Sequence, residues 1–120
     1  MSQGITVEAV RVALRAHELQ ALAASRNISH ANQPGARAMR VDISGVQMAL
    51  QAVADGQGGA ERLADAAHAV STLQPELTSD SIESDVEVAT LVTASTDYQA
   101  LTELLSRHFA LMRLAIGGRG

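Results

Sequence analysis

The longest helical pattern of this 120-residue chain reads SDVEVATLVTASTDYQALTELLSRHFALMRLAI and covers residues 84–116. It contains neither Pro nor Gly, and apolar residues return along it at intervals of seven. A helix of this length extends over about 50 Å, longer than a compact domain of this size is wide, so it requires a long partner. Two rows three residues apart share one side of it: Leu91, Tyr98, Leu105 and Met112, and Ala94, Leu101, His108 and Ala115.

Acidic and hydroxyl side chains precede and begin this helix. Residues 78–81 read TSDS and supply N-cap candidates, and both Asp80 and Ser84 lie three residues before a Glu, which is capping-box spacing. We predict capping and dipole matching here, rather than a metal site, because no hard-cation loop with its turn glycine is present. At the other end, Gly117-Gly118 predicts that the helix stops after Ile116. The carboxylates concerned are Asp80, Glu83, Asp85 and Glu87.

A second long helix is predicted over residues 5–31, with apolar residues on two sides of its axis. One side can cover the C-terminal helix, and we expect the other to stay exposed or to meet a second molecule. The similar lengths of the two helices predict an antiparallel coiled-coil hairpin. The first side carries Val7, Val10, Leu14, Ala21 and Ile28, and the second carries Ile5, Val12 and Leu19.

The middle of the chain is predicted to be a smaller and looser segment. Pro34-Gly35 is a strong turn signal, and the alternation of apolar and polar residues over 36–44 predicts a short strand. Short helices are indicated near residues 46–53 and 60–70, separated by a glycine-rich loop. The fold class is therefore mainly all-α. Residues 1–35 and 81–120 form a paired-helix rod domain, and residues 36–80 form a small, irregular, β-containing middle segment.

Composition indicates a thin core. Apolar residues make up 47% of the chain, but much of this share is Ala, with one Phe, one Tyr and no Trp. Because small side chains bury little area each, we expect the isolated chain to be marginally stable and to depend on neighbours. A net charge of −4 and scattered basic residues argue against binding to nucleic acid.

Neither a membrane-spanning segment nor a cleaved signal peptide is predicted from the sequence. No apolar run approaches the roughly 18 residues of a membrane span, so no lipid-spanning segment is predicted. Charged residues interrupt any signal-peptide core at the N-terminus. We therefore expect a cytosolic protein, or one exported by a route that needs no cleaved signal.

Catalytic chemistry is not indicated. The chain lacks Cys, and its four histidines match no zinc signature. His108 is interpreted as a hydrogen-bonded packing residue, and a phosphotransfer site at His17 is disfavoured by its neighbour Glu18. Residues 56–59 lack the Lys-Ser/Thr of a phosphate loop and are interpreted as a flexible connection. We predict that the protein is not an enzyme and has no catalytic residue, cofactor or metal site.

Residues 24–35 read ASRNISHANQPG and resemble the signature of flagellar rod and hook proteins, which runs close to ASNIANANTPGY. Residues 41–43 (VDI), 85–87 (DVE), 98–107 (YQALTELLSR) and 114–116 (LAI) are similar to the proximal rod members. The middle of the chain is unmatched, and Ala36, Gln33 and His30 depart from the family pattern. The signature positions carried here are Asn27, Ile28, Ala31, Asn32, Pro34 and Gly35.

The asparagines of this motif have a physical interpretation beside the resemblance. Asn27 and Asn32 fall in the last turns of a helix, where carbonyls lack partners, so we expect their side chains to bond locally. Pro34-Gly35 then directs the chain away at a fixed angle. A plain helix stop is the alternative, but it does not require Asn27 inside the helix.

The resemblance implies a structural subunit of the flagellar basal body that assembles helically into the proximal rod, in the periplasmic space. Implied partners are copies of itself, other rod proteins, the basal-body adaptor protein, the MS ring and the export gate of the flagellar type III apparatus. The alternative is a helical-hairpin adaptor, or an inner-rod or needle-like subunit of a type III secretion system. We predict assembly contacts on both terminal helices, at Val7, Leu14, Leu19, Leu91, Tyr98, Leu101, Leu105 and Met112.

Overall fold

The computed structural model describes residues 3–117, apart from the side chains of Gln3 and Ile5. It has the mainly helical fold expected, with a long helix near each end of the chain and a small antiparallel sheet in the middle. The predicted contribution of Ile5 to a helix face and of Gly118 to the final stop lie outside the described residues. In chain order the elements are α1 (Gln3–His30), β1 (Arg37–Arg40), α2 (Ser44–Ala54), α3 (Gly59–Thr72), β2 (Glu76–Ser81) and α4 (Ser84–Gly117).

The two long helices pack against each other in opposite directions. Asn27, near the end of α1, contacts Glu87 at the start of α4, whereas His17 lies 4.0 Å from Asp97 farther along. Falling residue numbers on α1 therefore accompany rising numbers on α4, which confirms the antiparallel pairing. The pair makes the molecule elongated, with extents of 63 × 27 × 19 Å.

The sheet corrects the prediction for the segment before α4. Residues 78–81 belong to β2 and pair with β1, with Met39 opposite Leu77 and Arg40 opposite Glu76, so they do not cap a helix. α4 begins only at Ser84. Propensity alone could not separate these alternatives, because a hydroxyl-rich segment serves equally as an N-cap and as an exposed edge strand. β1 itself covers four residues, fewer than the strand predicted over residues 36–44.

The core lies between α1, α2 and α3, and it corrects two predictions. The middle segment is not loose, since α2 and α3 form a helical pair that packs on α1. The second side of α1 is not left for another molecule, because Val12 and Leu19 are 2% and 5% exposed. Both corrections have one cause: α2 and α3 each carry an apolar stripe that must be covered, and α1 covers it. The buried cluster comprises Val12, Ala16, Ile43, Val46, Val53, Leu63, Ala66 and Val70.

Two local features position this core. After Pro34, the chain turns at Gly35 with a φ of +73°, a conformation that costs Gly little and other residues more. At the start of α2, the Ser44 hydroxyl and N–H both donate to Asp42 Oδ1, at 2.6 and 3.0 Å. These bonds satisfy one orphan N–H of the helix and hold the pKa of the Asp42 carboxyl below its usual value.

Candidate functional site

Asn27 closes the outer edge of β1. Its side chain is fully buried. Its Nδ2 donates to the Met39 carbonyl at 2.9 Å, and the Met39 N–H donates to its Oδ1 at 2.7 Å. A primary amide carries a donor and an acceptor side by side, so it can satisfy both backbone groups as a neighbouring strand would. Asn27 therefore fastens the end of α1 to β1.

The same amide also reaches α4. Asn27 Nδ2 donates to Glu87 Oε2 at 3.0 Å, and an Arg40 guanidinium N–H donates to Glu87 Oε1 at 2.6 Å. Glu87 is fully buried, whereas the Arg40 side chain is 39% exposed. A buried carboxylate is costly unless it is paired and hydrogen-bonded, and here it has both kinds of partner. We call Asn27, Arg40 and Glu87 the polar cluster; it joins α1, β1 and the start of α4.

The polar cluster corrects two sequence-based assignments. Asn27 was expected to bond locally at the end of the helix, but it bonds to residues that lie 12 and 60 positions away. Glu87 was expected to complete a capping box with Ser84, but its carboxylate faces Asn27 and Arg40 instead. No local pattern could reveal the pairing, because its members come from three separate elements. The one available signal was an Asn inside a helix, where a plain stop has no use for it.

The other motif positions behave differently from Asn27. Ile28 and Ala31 are half-buried, whereas Asn32, Pro34 and Gly35 are exposed at the turn. Gly35 supplies the positive φ that the turn needs. The motif thus contains one buried residue, Asn27, that links α1 to β1 and α4, followed by an exposed turn at Pro34 and Gly35.

A small cavity of about 230 Å³ opens beside the polar cluster, between α1, β1 and α4. Its polar wall groups Arg40 and Glu87 are already bonded to each other. Within residues 3–117, no group of three or more His, Cys, Asp or Glu side chains is placed to hold a metal ion. The cavity is lined by Gln20, Ala23, Ala24, Met39, Arg40, Val41, Val86, Glu87 and Thr90.

His17 and His108 have different surroundings. His17 Nδ1 lies 3.3 Å from Gln20 Oε1, and its contact with Asp97 is longer. His108 is half-buried on α4, as a packing residue would be. Its Nε2 has no hydrogen-bond partner within the described part of the chain, so the predicted hydrogen bond is not observed at this atom.

The predicted assembly residues occupy several environments. Leu19 is buried within the chain, and Tyr98 is 39% exposed. The other six are half-buried. Substitutions at Leu101 or Leu105 would therefore disturb the pairing of α4 with α1 as well as any contact with a neighbour. The half-buried residues are Val7, Leu14, Leu91, Leu101, Leu105 and Met112.

A second set of apolar residues, on the outside of α4, is more exposed than the predicted set. Val88 and Val92 are 48% and 58% exposed near its start, and Leu111 and Leu114 are 66% and 70% exposed near its end. Val88 and Val92 lie on one flank of the heptad rows, whereas Leu111 and Leu114 lie on the other flank, so the four residues do not form a single row. These exposed apolar side chains at the two ends of α4 are the part of the helix most available to another molecule.

No helix within residues 3–117 combines the length and apolarity needed to cross a membrane. Comparisons of the chain with models of known protein families, with curated proteins and with solved structures found no match.

Proposed function

We propose that this chain is a structural subunit of the bacterial flagellar basal body, assembling helically into the proximal rod. One observation carries the proposal. Asn27 belongs to the resembling segment at residues 24–35, and Glu87 belongs to the one at residues 85–87, 60 positions later in the chain. These two side chains bond directly at 3.0 Å. Residues that carry the resemblance in distant parts of the chain thus hold the end of α1 against the start of α4.

The surface of α4 supports an assembly role. This helix has 34 residues, of which only Glu87 and Ala94 are buried. Its outer face carries apolar side chains that a free monomer leaves in contact with water. Contacts between copies that do not close into a ring generate open filaments, and a rod is such an assembly. Further partners under this proposal are other rod proteins, the adaptor protein, the MS ring and the export gate.

The proposed location is the rod within the periplasmic space, reached through the flagellar type III apparatus without a cleaved signal. A chain without Cys requires no disulfide formation after export. The proposed role is mechanical, and it assigns no catalytic residue and no cofactor.

Deletion of the gene in the source bacterium tests the proposal. We expect a non-motile strain whose basal bodies lack the rod, and recovery of both when the wild-type gene is returned. The variant Leu111→Asp with Leu114→Asp should be exported but should not restore motility, because two charges then interrupt the exposed face of α4. Met48→Asp is the matched control, since Met48 is 74% exposed on α2, away from that face. Normal swimming of the deletion strain would refute the proposal.

Electron microscopy of the concentrated protein separates the alternatives. Tubes or filaments support an axial subunit. Discrete dimers would favour a helical-hairpin adaptor. Filaments, combined with a deletion strain that loses secretion but keeps motility, would favour an inner-rod or needle-like subunit.

A further inference from the structure

Charge is distributed unequally along the long axis of the molecule. Residues 76–87 contain five carboxylates and no basic residue, whereas residues 107–117 contain two arginines, one histidine and no carboxylate. Of the five carboxylates, only Glu87 has an ion pair among the described residues, with Arg40. Arg37, which lies opposite Ser81 in the sheet, and Arg26, which precedes Asn27, are at the same end and offset part of the negative charge, but not all of it. The other four carboxylates are exposed, as are Arg107 and Arg113. We call residues 76–92 the acidic base and residues 104–117 the basic tip.

The N-terminal part of α1 does not cancel this difference. Because the helices are antiparallel, its first turns lie beside the end of α4. The described charges there are Glu8 and Arg11, which are of opposite sign. The tip therefore keeps the positive charge of Arg107 and Arg113.

These charges are too far apart to stabilise the chain that carries them. Asp85 and Arg113 are 28 residues apart on one helix, and at a rise of 1.5 Å per residue the separation is about 42 Å. Exposed charges are largely screened beyond about 8 Å at physiological salt. The opposite charges of the base and the tip therefore do not attract each other appreciably within one molecule.

Exposed apolar residues accompany the charges at both ends. Val88 and Val92 lie at the base, whereas Leu111 and Leu114 lie at the tip, and each of the four is at least 48% exposed. Each end thus presents an apolar patch bordered by charge, and the sign of the charge is opposite at the two ends. Such surfaces are complementary to each other and each repels a copy of itself.

We propose that the basic tip of one copy docks on the acidic base of a second copy of this chain, so that copies join head to tail along their long axes. This inference rests on the proposed function and specifies the contact that would extend the rod. Arg107 and Arg113 of one copy face Glu83 and Asp85 of the next, while the apolar residues of the two ends pack together. Because tip and base are different surfaces, the contact leaves one of each free and the chain of copies stays open.

Charge reversal tests which surfaces meet. The base variant Glu83→Arg with Asp85→Arg, and the tip variant Arg107→Glu with Arg113→Glu, should each raise the critical concentration for polymerisation about tenfold, because attractions become repulsions. The chain that carries all four changes should polymerise like the wild type, because tip and base are again complementary. Far-UV circular dichroism establishes that each variant is folded. Unchanged polymerisation of both paired variants would overturn the inference, as would failure of the fourfold variant to recover.

Disulfide cross-linking tests the head-to-tail arrangement, and the absence of native Cys makes it simple. In the variant Val88→Cys with Leu111→Cys, oxidation should produce a ladder of multimers, because each copy joins one neighbour at either end. An antiparallel pair of α4 helices would match the same charges but would yield only cross-linked dimers, and that result would overturn the inference. The single variants serve as controls and should not produce a ladder.

The two proposals fail in different ways. Filaments that form without Val88–Leu111 cross-links would refute the head-to-tail contact and leave the rod function standing. A motile deletion strain would refute the rod function whatever the cross-links show.

Discussion

The α2–α3 pair and α4 use their residues in opposite ways. α2 and α3 have 11 and 14 residues and bury five apolar side chains in the core. α4 has 34 residues and buries one apolar side chain, Ala94, and the carboxylate of Glu87. The length of a helix therefore does not determine its share of the core.

The number of helices that each element contacts explains the difference. α1 lies between the two regions, with Val12 and Ala16 facing α2 and α3, and with His17 and Ala21 beside α4. α2 and α3 cover each other as well as α1, so their apolar stripes are enclosed. α4 touches a single helix, so only one narrow face of it can be covered. Substitutions in each region, and at the contacts that join them, test this division.

Asn27→Asp should cause the largest loss, because it breaks the connection between the two regions. The new carboxylate cannot donate to the Met39 carbonyl or to Glu87, and it would lie beside another buried carboxylate. We expect the free energy of unfolding at neutral pH to fall by about 3–5 kcal/mol, measured by urea denaturation.

Asn32→Asp is the matched control, since Asn32 belongs to the same motif but is exposed. It should change the free energy of unfolding by less than about 0.5 kcal/mol. Equal losses in the two variants would contradict the structural role of the polar cluster.

Leu63→Ala tests the core of the α2–α3 region. Leu63 is 5% exposed and belongs to the buried cluster. Truncation should lower the free energy of unfolding by about 2–5 kcal/mol, through lost burial and the cavity left behind. Leu114→Ala, at 70% exposure on α4, should cost less than about 0.5 kcal/mol in dilute protein. Similar losses at the two positions would remove the distinction between the regions.

Ala94→Leu tests the close approach of α4 to α1. Ala94 is 3% exposed, so a larger side chain there must force the helices apart. We expect a loss of about 1–3 kcal/mol in the free energy of unfolding from overpacking. Ala100→Leu enlarges an exposed residue of the same helix and should have little effect. If Ala94→Leu were harmless, the pairing of α1 and α4 would be looser than the structure indicates.

Asp42→Asn should have the smallest effect, and the effect should depend on pH. The Ser44 hydroxyl and N–H lower the pKa of Asp42 in the folded chain. The folded state therefore favours the carboxylate, and the added stability is present above the unfolded pKa of about 3.9 and disappears as pH falls through the folded pKa. The difference in free energy of unfolding between wild type and variant should be constant near neutral pH and shrink below about pH 4. Parallel stability curves over that range would contradict this assignment.

Much of the architecture could be predicted from periodicity. Residues 5–31 and 84–116 were assigned to long helices, and α1 and α4 end within two residues of those limits. The short helices near residues 46–53 and 60–70 were also indicated, and α2 and α3 occupy those positions. Helical periodicity is a local property, so a single sequence is enough to recognise it.

The errors concern contacts between distant residues. Residues 78–81 were assigned to a helix cap and form a strand, because their hydrogen-bond partner lies 40 residues earlier in β1. The polar cluster was missed for the same reason, since Asn27 and Glu87 are 60 residues apart. The covering of Val12 and Leu19 by the chain itself was missed because the middle segment was judged too loose to pack.

The order of side chains alone specified four helices, the turn at Pro34-Gly35 and the apolar faces that needed cover, because each depends on residues only a few positions apart. Packing in three dimensions chose which element covers which face. It placed α2 and α3 on the second side of α1 and made Asn27 a link between α1, β1 and α4. It also left the outside of α4 uncovered. Those outcomes depend on competition among distant partners for the same surfaces, which no local pattern records.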